Sequence, residues 1–181
     1  SDWYSRAFAA EWNKHYELLA ERRPGWMDCY GGNLSAPREA LLRTGGFAAD
    51  LAGAADVELA FRLCGDGLEP RFFPRAKASH DDQKQTPRLL RDAAMRGTAY
   101  LQIAARHPTT AGDLLGTFRT GSGREVAIRR ALIALRVPPR LLTAAGGLVP
   151  GERLNSFLHH AIQRYAFWLS VRRPVDARRW R

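Results

Sequence analysis

The sequence predicts an α+β fold of several helices and a few short strands, followed by an amphipathic helical tail. Apolar residues recur at helical spacing in several long stretches, and short aromatic or apolar segments bounded by Gly and Pro favour strands. The charge balance also changes along the chain. Residues 1–118 carry 15 Lys/Arg and 15 Asp/Glu, whereas residues 119–181 carry 13 Arg, no Lys and 3 acids. We therefore expect a first domain over residues 1–118 and an arginine-rich helical tail over residues 119–181.

The first domain is expected to begin with a helix, a strand and a glycine loop. The pattern predicts a helix over Trp3–Glu21, which Arg-Arg-Pro-Gly at 22–25 ends. The short aromatic segment Trp26–Tyr30 predicts a buried strand. Gly31-Gly32 follows, where the backbone can adopt positive φ or lie directly against a ligand.

Two further helices in this domain are predicted to end at glycines. Pro37–Arg43 is expected to form a short helix closed by Gly45-Gly46. Asp56 is a candidate N-cap of the next helix, which ends at the Gly-Asp-Gly of 65–67. Residues 68–79 are expected to form two short extended pieces interrupted by a proline.

The remaining pattern is helical. A long helix is predicted over Pro87–Arg106, and the tail is predicted to contain helices near 125–137, 141–149 and 152–171. The last of these has apolar residues at i, i+3, i+4 and i+7 with basic residues opposite. Its apolar side could lie in a membrane interface or pack on the rest of the protein, and the sequence leaves both readings open.

Composition excludes several classes of protein. Cys29 and Cys64 are the only cysteines and form no CxxC pair, so we expect two buried thiols in a reducing compartment rather than a disulfide scaffold or a structural zinc site. No charge-free stretch in the tail approaches the roughly 20 residues of a membrane span. The chain contains no P-loop and no GxGxxG, and no nucleic-acid motif accompanies the basic charge. We expect a cytoplasmic protein with peripheral contact at the inner membrane face through residues 124–181, and no nucleic-acid partner.

Three side chains could carry chemistry, and each has a second reading. Asp56, at a helix start beside the glycine loop, could act as a general base or serve only as an N-cap. Glu58 could be a second acid or the i,i+4 partner of Arg62. His80 could bind a divalent ion or be an ordinary loop residue.

In their order and spacing, the motifs of residues 26–108 resemble the acceptor-side, C-terminal half of family 2 glycosyltransferases of the GT-A type. The matching positions are Gly32-Asn33, Arg38, Gly45-Gly46-Phe47, Asp56-Val57-Glu58-Leu59, Arg62-Leu63, Gly67, Phe73-Pro74 and His80. Two positions depart from the family pattern. Ala55 stands where the family usually has Glu, and the Asp-x-Asp motif of the family's nucleotide-binding half does not occur. If the sequence is a segment of a longer protein, that half would precede Ser1; if the 181 residues are the whole molecule, no donor-binding half is present.

The resemblance implies an inverting transfer of a sugar from a nucleotide-sugar donor to a sugar or lipid-linked acceptor. Asp56 falls on the family's catalytic base, and Glu58 on a neighbouring acid that supports acceptor or loop geometry. The substrate-binding positions implied are Gly31, Gly32, Asn33, Arg38 and Arg62. His80 falls where some relatives place a ligand to Mn²⁺ or Mg²⁺, so a divalent metal cofactor is implied. The other function class left open is a non-catalytic binding or assembly module that docks on a membrane surface or a partner chain through the basic tail.

Overall fold

A computed structural model describes residues 3–79, 85–116, 123–146, 148 and 151–172. Within these ranges the backbone forms α-helices joined by turns and three short 3-10 helices, and it contains no strand. The predicted α+β class is therefore wrong for the described residues, which are all-helical. The α-helices are α1 Trp3–Glu21, α2 Arg38–Arg43, α3 Ala55–Gly65, α4 Thr86–Arg106, α5 Ala111–Gly116, α6 Gly123–Ala134, α7 Pro139–Gly146 and α8 Glu152–Arg172.

The fold class was predicted wrongly because two segments were expected to form strands. Trp26–Asp28, placed in a buried strand by its aromatic composition, is a 3-10 helix. Residues 68–79 have no helix or strand assignment apart from a turn at 74–75. A strand needs a neighbour to pair its backbone N–H and C=O groups, and no segment in the described ranges pairs with residues 68–79. Short apolar runs cannot by themselves distinguish a strand from other buried segments.

The predicted helices are confirmed, with ends that differ by a few residues. The glycine positions explain two of these ends. After α2, Gly45 and Gly46 adopt φ of 79° and 69°, and the N–H of Gly46 donates to the carbonyl of Leu41 at 2.9 Å. After α3, Gly67 adopts φ of 89°, and the N–H of Leu68 donates to the carbonyl of Leu63 at 3.1 Å. Both are Schellman ends, which satisfy the last helical carbonyls.

The chain divides into two compact units. The central unit is Trp12–Asp82, and the terminal unit combines Ser1–Glu11 with Gln83–Arg181. The boundary predicted at residue 118 does not coincide with this division, because the long helix α4 and the tail helix α8 belong to the same unit. Helix α1 contributes its first part to the terminal unit and its remainder to the central unit.

The core of the terminal unit lies between α4, α8 and the start of α1. Its buried residues are Tyr4, Leu89, Leu90, Ala93, Ile162 and Ala166. The helices α4 and α8 approach closely at Gly97, where an added Cβ would lie 2.5 Å from the carbonyl oxygen of Phe167. The apolar side of α8 is therefore largely used in internal packing, which is the second of the two readings left open by the sequence. None of the helices in the described ranges has both the length and the apolar character required to cross a bilayer.

The central unit packs around α2 and α3. Ala40, Leu59 and Leu63 are buried together, and Leu41 and Leu68 cover them from the side. The 3-10 helix at Trp26–Asp28 packs on α3, where the rings of Trp26 and Phe61 meet edge to face with centroids 5.2 Å apart. This packing places the loop that follows, Gly31–Asn33, beside the start of α3.

Candidate active site

The carboxylate of Asp56 lies against the glycine loop at the start of α3. Its Oδ2 accepts a hydrogen bond from the backbone N–H of Gly31 at 2.7 Å, and its Oδ1 accepts one from the N–H of Val57 at 2.9 Å. A Cβ added to Gly31 would lie 3.4 Å from the Cβ of Asp56, at van der Waals contact, so the loop packs directly against this side chain. The residue before the helix, Ala54, has a left-handed φ of 51°.

This geometry holds the carboxylate in one orientation but does not use up its acceptor capacity. A carboxylate offers roughly four acceptor positions, and the two backbone N–H groups occupy two of them. The side chain is only partly buried, so a hydroxyl group can reach it. The N-terminal end of α3 also favours negative charge at this position. The arrangement can therefore accept a proton from a bound hydroxyl, which is the requirement for a general base.

The loop beside Asp56 is tied to the segment that leads towards His80. Gly31–Asn33 forms a 3-10 turn with all three residues exposed. The side-chain amide of Asn33 donates from Nδ2 to the carbonyl of Ala76 at 2.7 Å. Asn33 therefore fixes the loop to residues 75–79, and the exposed glycine Gly32 is left at the surface. His80, the predicted metal ligand, lies outside the described residues.

Glu58 and Arg62 form a largely buried ion pair, so the Glu58 carboxylate does not line an open acidic site. The Glu58 side chain is 1% exposed and contacts Arg62, whose side chain is 21% exposed. Two parallel hydrogen bonds join them, Nε to Oε1 at 2.9 Å and Nη2 to Oε2 at 2.7 Å. The same guanidinium also donates to the carbonyls of Thr44 and Gly46, the latter at 2.6 Å. The pair thus fastens the glycine turn after α2 to α3.

The remaining sequence-predicted residues have different surroundings. Arg38 is exposed at the first position of α2, where a substrate group could reach it. Arg62, also predicted to bind substrate, directs its guanidinium to Glu58 and to two backbone carbonyls. The structure therefore brings Asp56, Gly31 and Asn33 together at one place, with Glu58 and Arg62 supporting the adjoining turn.

The two thiols are partly buried. Burial, together with the nearby Cys64, Asp28 and Asp56, raises the pKa of Cys29 to about 11. Burial also raises the pKa of Cys64. A thiol attacks as its thiolate, so the raised pKa values lower the reactivity of both cysteines.

A second group of chemically active side chains, which the sequence did not indicate, lies in the terminal unit. The carboxylate of Glu11, on α1, approaches two neighbouring histidines of α8. Its Oε2 lies 2.8 Å from Nδ1 of His159, and its Oε1 lies 2.7 Å from Nε2 of His160. Burial raises the pKa of the Glu11 carboxyl, but the two imidazoles outweigh burial and lower it to about 2. The adjacent histidines were the only sequence signal for this group, because Glu11 is remote along the chain.

Comparison of the chain with protein-family models, with curated proteins and with solved structures gives no match.

Proposed function

We propose that this chain forms the acceptor-side part of an inverting glycosyltransferase in which Asp56 is the general base. The observation that carries the proposal is the carboxylate of Asp56 held at the start of α3 by the backbone N–H of Gly31, 2.7 Å away. The motif order along residues 26–108 supports it independently. Catalytic sites of one chemistry occur on unrelated folds, so the helical fold of the described residues is compatible with this role for Asp56.

In the proposed reaction, an acceptor hydroxyl binds in front of Asp56 beside the exposed loop Gly31–Asn33. The carboxylate takes the hydroxyl proton while the acceptor oxygen forms a bond to the anomeric carbon of the donor sugar. The bond between that carbon and the diphosphate oxygen breaks, and the nucleoside diphosphate leaves with the electron pair. Attack opposite to the leaving group inverts the anomeric centre. Positioning the two reactants and removing the proton together account for the acceleration.

The other residues support this step without touching the reacting atoms. Asn33 anchors the loop to residues 75–79, and the Glu58–Arg62 pair anchors the turn after α2. Arg38 is exposed and available to an anionic or hydroxylated acceptor. Donor binding is assigned to the nucleotide-binding half that the resemblance places before Ser1. A divalent ion bound there would offset the charge of the diphosphate.

The proposal is tested by assaying the complete gene product that contains this chain. We expect nucleotide-sugar consumption that depends on a sugar or lipid-linked acceptor and on Mn²⁺ or Mg²⁺. Nuclear magnetic resonance of the first product should show the anomeric configuration opposite to that of the donor. A product with retained configuration, or no consumption of any nucleotide sugar with any acceptor tested, would contradict the assignment.

We also propose that α6, α7 and the turn that follows contact an anionic lipid surface, in keeping with a lipid-linked acceptor. Four large apolar side chains of this region are exposed by 52% to 87%, namely Ile128, Leu135, Leu141 and Leu148. Exposed arginines lie between them at Arg130, Arg136 and Arg140. Apolar side chains among basic ones are typical of helices that lie in a membrane interface, where arginines meet acidic headgroups.

Vesicle sedimentation tests this surface. We expect the chain to sediment with vesicles of phosphatidylcholine and phosphatidylglycerol, less with phosphatidylcholine alone, and less at high salt. Replacing Leu135 and Leu141 by glutamate should abolish sedimentation. Leu42→Glu, at a position 63% exposed in the central unit, is the matched control and should sediment like the unmodified chain. Equal sedimentation of all three proteins would reject the surface.

A further inference from the structure

We propose that Glu11, His159 and His160 form a binding site for a divalent transition-metal ion, and Zn²⁺ is the ion we expect. The site lies in the terminal unit, whereas Asp56 belongs to the central unit. One ligand atom from each of the three side chains lies within 4.8 Å of the other two. Three donors this close can be bridged by a single ion with small adjustments of the side chains.

The buried imidazole gives the strongest evidence. His159 is fully buried, with its ring centroid 4.5 Å from that of Tyr4 and 6.0 Å from that of Phe8. Its Nδ1 lies 2.8 Å from Oε2 of Glu11, yet this nitrogen makes no aligned hydrogen bond within the described part of the chain. A buried polar atom left without a hydrogen bond destabilises the fold. A metal ion between the nitrogen and the carboxylate would remove that cost.

The other ring nitrogen of His159 lies beside a polar side chain. Its Nε2 is 3.4 Å from the amide nitrogen Nε2 of Gln163, one helical turn further along α8. Histidines that bind metals usually have a hydrogen-bond partner on their second nitrogen, which fixes the ring orientation and the tautomer. Rotating the amide of Gln163 by 180° would bring its oxygen towards Nε2–H, and the lone pair of Nδ1 would then lie on the side of Glu11.

The donor chemistry selects the class of ion. Two imidazoles and one carboxylate suit Zn²⁺ and its neighbours among the transition metals, whereas Mg²⁺ and Ca²⁺ prefer sites built from oxygen. The side chains of Glu11 and His160 are 37% and 43% exposed, so water can complete the coordination. The negative charge of Glu11 partly balances the positive charge of the ion. A site with three protein ligands and an open side is the arrangement found in zinc sites that bind a further ligand.

The test uses the untagged chain after treatment with a chelator. Isothermal titration with Zn²⁺ is expected to show one tight site per chain, and Co²⁺ is expected to give visible d–d absorption. Because His159 belongs to the core, the partly exposed ligands are substituted, as Glu11→Gln and His160→Gln. Each should weaken Zn²⁺ binding by more than the roughly 10–100-fold that loss of an outer hydrogen-bond partner causes. Far-UV circular dichroism checks that both variants remain folded.

Two substitutions serve as matched controls. Glu17→Gln lies on the same helix as Glu11 at an exposed position, and His107→Gln removes an imidazole from the end of α4. Both control proteins are expected to bind Zn²⁺ as the unmodified chain does. Absence of Zn²⁺ binding to the unmodified chain would overturn the proposal. Binding that Glu11→Gln and His160→Gln leave unchanged would overturn it as well.

Discussion

Replacing Asp56 by asparagine is expected to lower sugar transfer by about 10²–10⁴-fold, the usual contribution of a positioned acid–base group. The amide has nearly the same size as the carboxylate, but it cannot accept the proton of the acceptor hydroxyl. Its single oxygen can accept from the N–H of Gly31 or of Val57, and the amide nitrogen then faces the other donor. We therefore expect the fold to persist with a small loss of stability, since one hydrogen bond near the surface is lost. The measurement is the initial rate of transfer, with circular dichroism to confirm folding.

Asp66→Asn is the matched control for this experiment. Asp66 is an exposed aspartate at the end of α3, paired with Arg43 at 2.7 Å. Exposed pairs of this kind contribute about 0–1 kcal/mol, so the control protein should fold and transfer sugar at nearly the unmodified rate. A rate for Asp56→Asn within a few-fold of that control would remove Asp56 from the role of base.

Replacing Glu58 by alanine is expected to destabilise the fold by about 3 kcal/mol, at the lower end of the range for removing one partner of a buried ion pair. The lower end applies because the Arg62 side chain retains 21% exposure, so water partly compensates its charge. The substitution leaves the guanidinium without its carboxylate and weakens the attachment of the turn at Thr44–Gly46. The free energy of unfolding, measured with urea at neutral pH, gives the effect.

The control for this stability measurement is an alanine substitution in the exposed ion pair between Asp66 and Arg43. Asp66→Ala breaks the contact with Arg43 and should cost less than about 1 kcal/mol. Replacing Glu58 and Arg62 together by leucine should recover part of the loss, because no charge then remains buried without a partner. Equal destabilisation by Glu58→Ala and Asp66→Ala would show that the buried pair does not stabilise the attachment of the turn after α2 to α3.

The helices and the glycine turns were predictable because their determinants are local. Gly45, Gly46 and Gly67 follow helical stretches directly, and only a few nearby residues decide whether a Schellman end forms. The meeting of Asp56 with Gly31 was also within reach of the sequence, since both lie next to elements with clear boundaries. The sequence could not decide whether Glu58 is exposed or buried, because a residue with an i,i+4 partner can lie in either environment.

The strands and the second cluster were not predictable for a different reason. Residues 68–79 carry a pattern typical of strands, yet whether they become a strand depends on a pairing neighbour elsewhere, which the segment itself does not encode. The approach of Glu11 to His159 depends on the packing of α1 against α8. Contacts between residues so distant along the chain arise from tertiary packing and leave no periodic signal in a single sequence.

The division of the chain has a consequence for its synthesis. The described contacts of the central unit join residues within Trp12–Asp82, which leave the ribosome within a short interval, so that unit can complete its fold early. The terminal unit cannot, because its core residue Tyr4 precedes the core partners Ile162 and Ala166 by more than 150 positions along the chain. During that interval the apolar side of α4 lacks its cover from α8 and is exposed to chaperones and to aggregation.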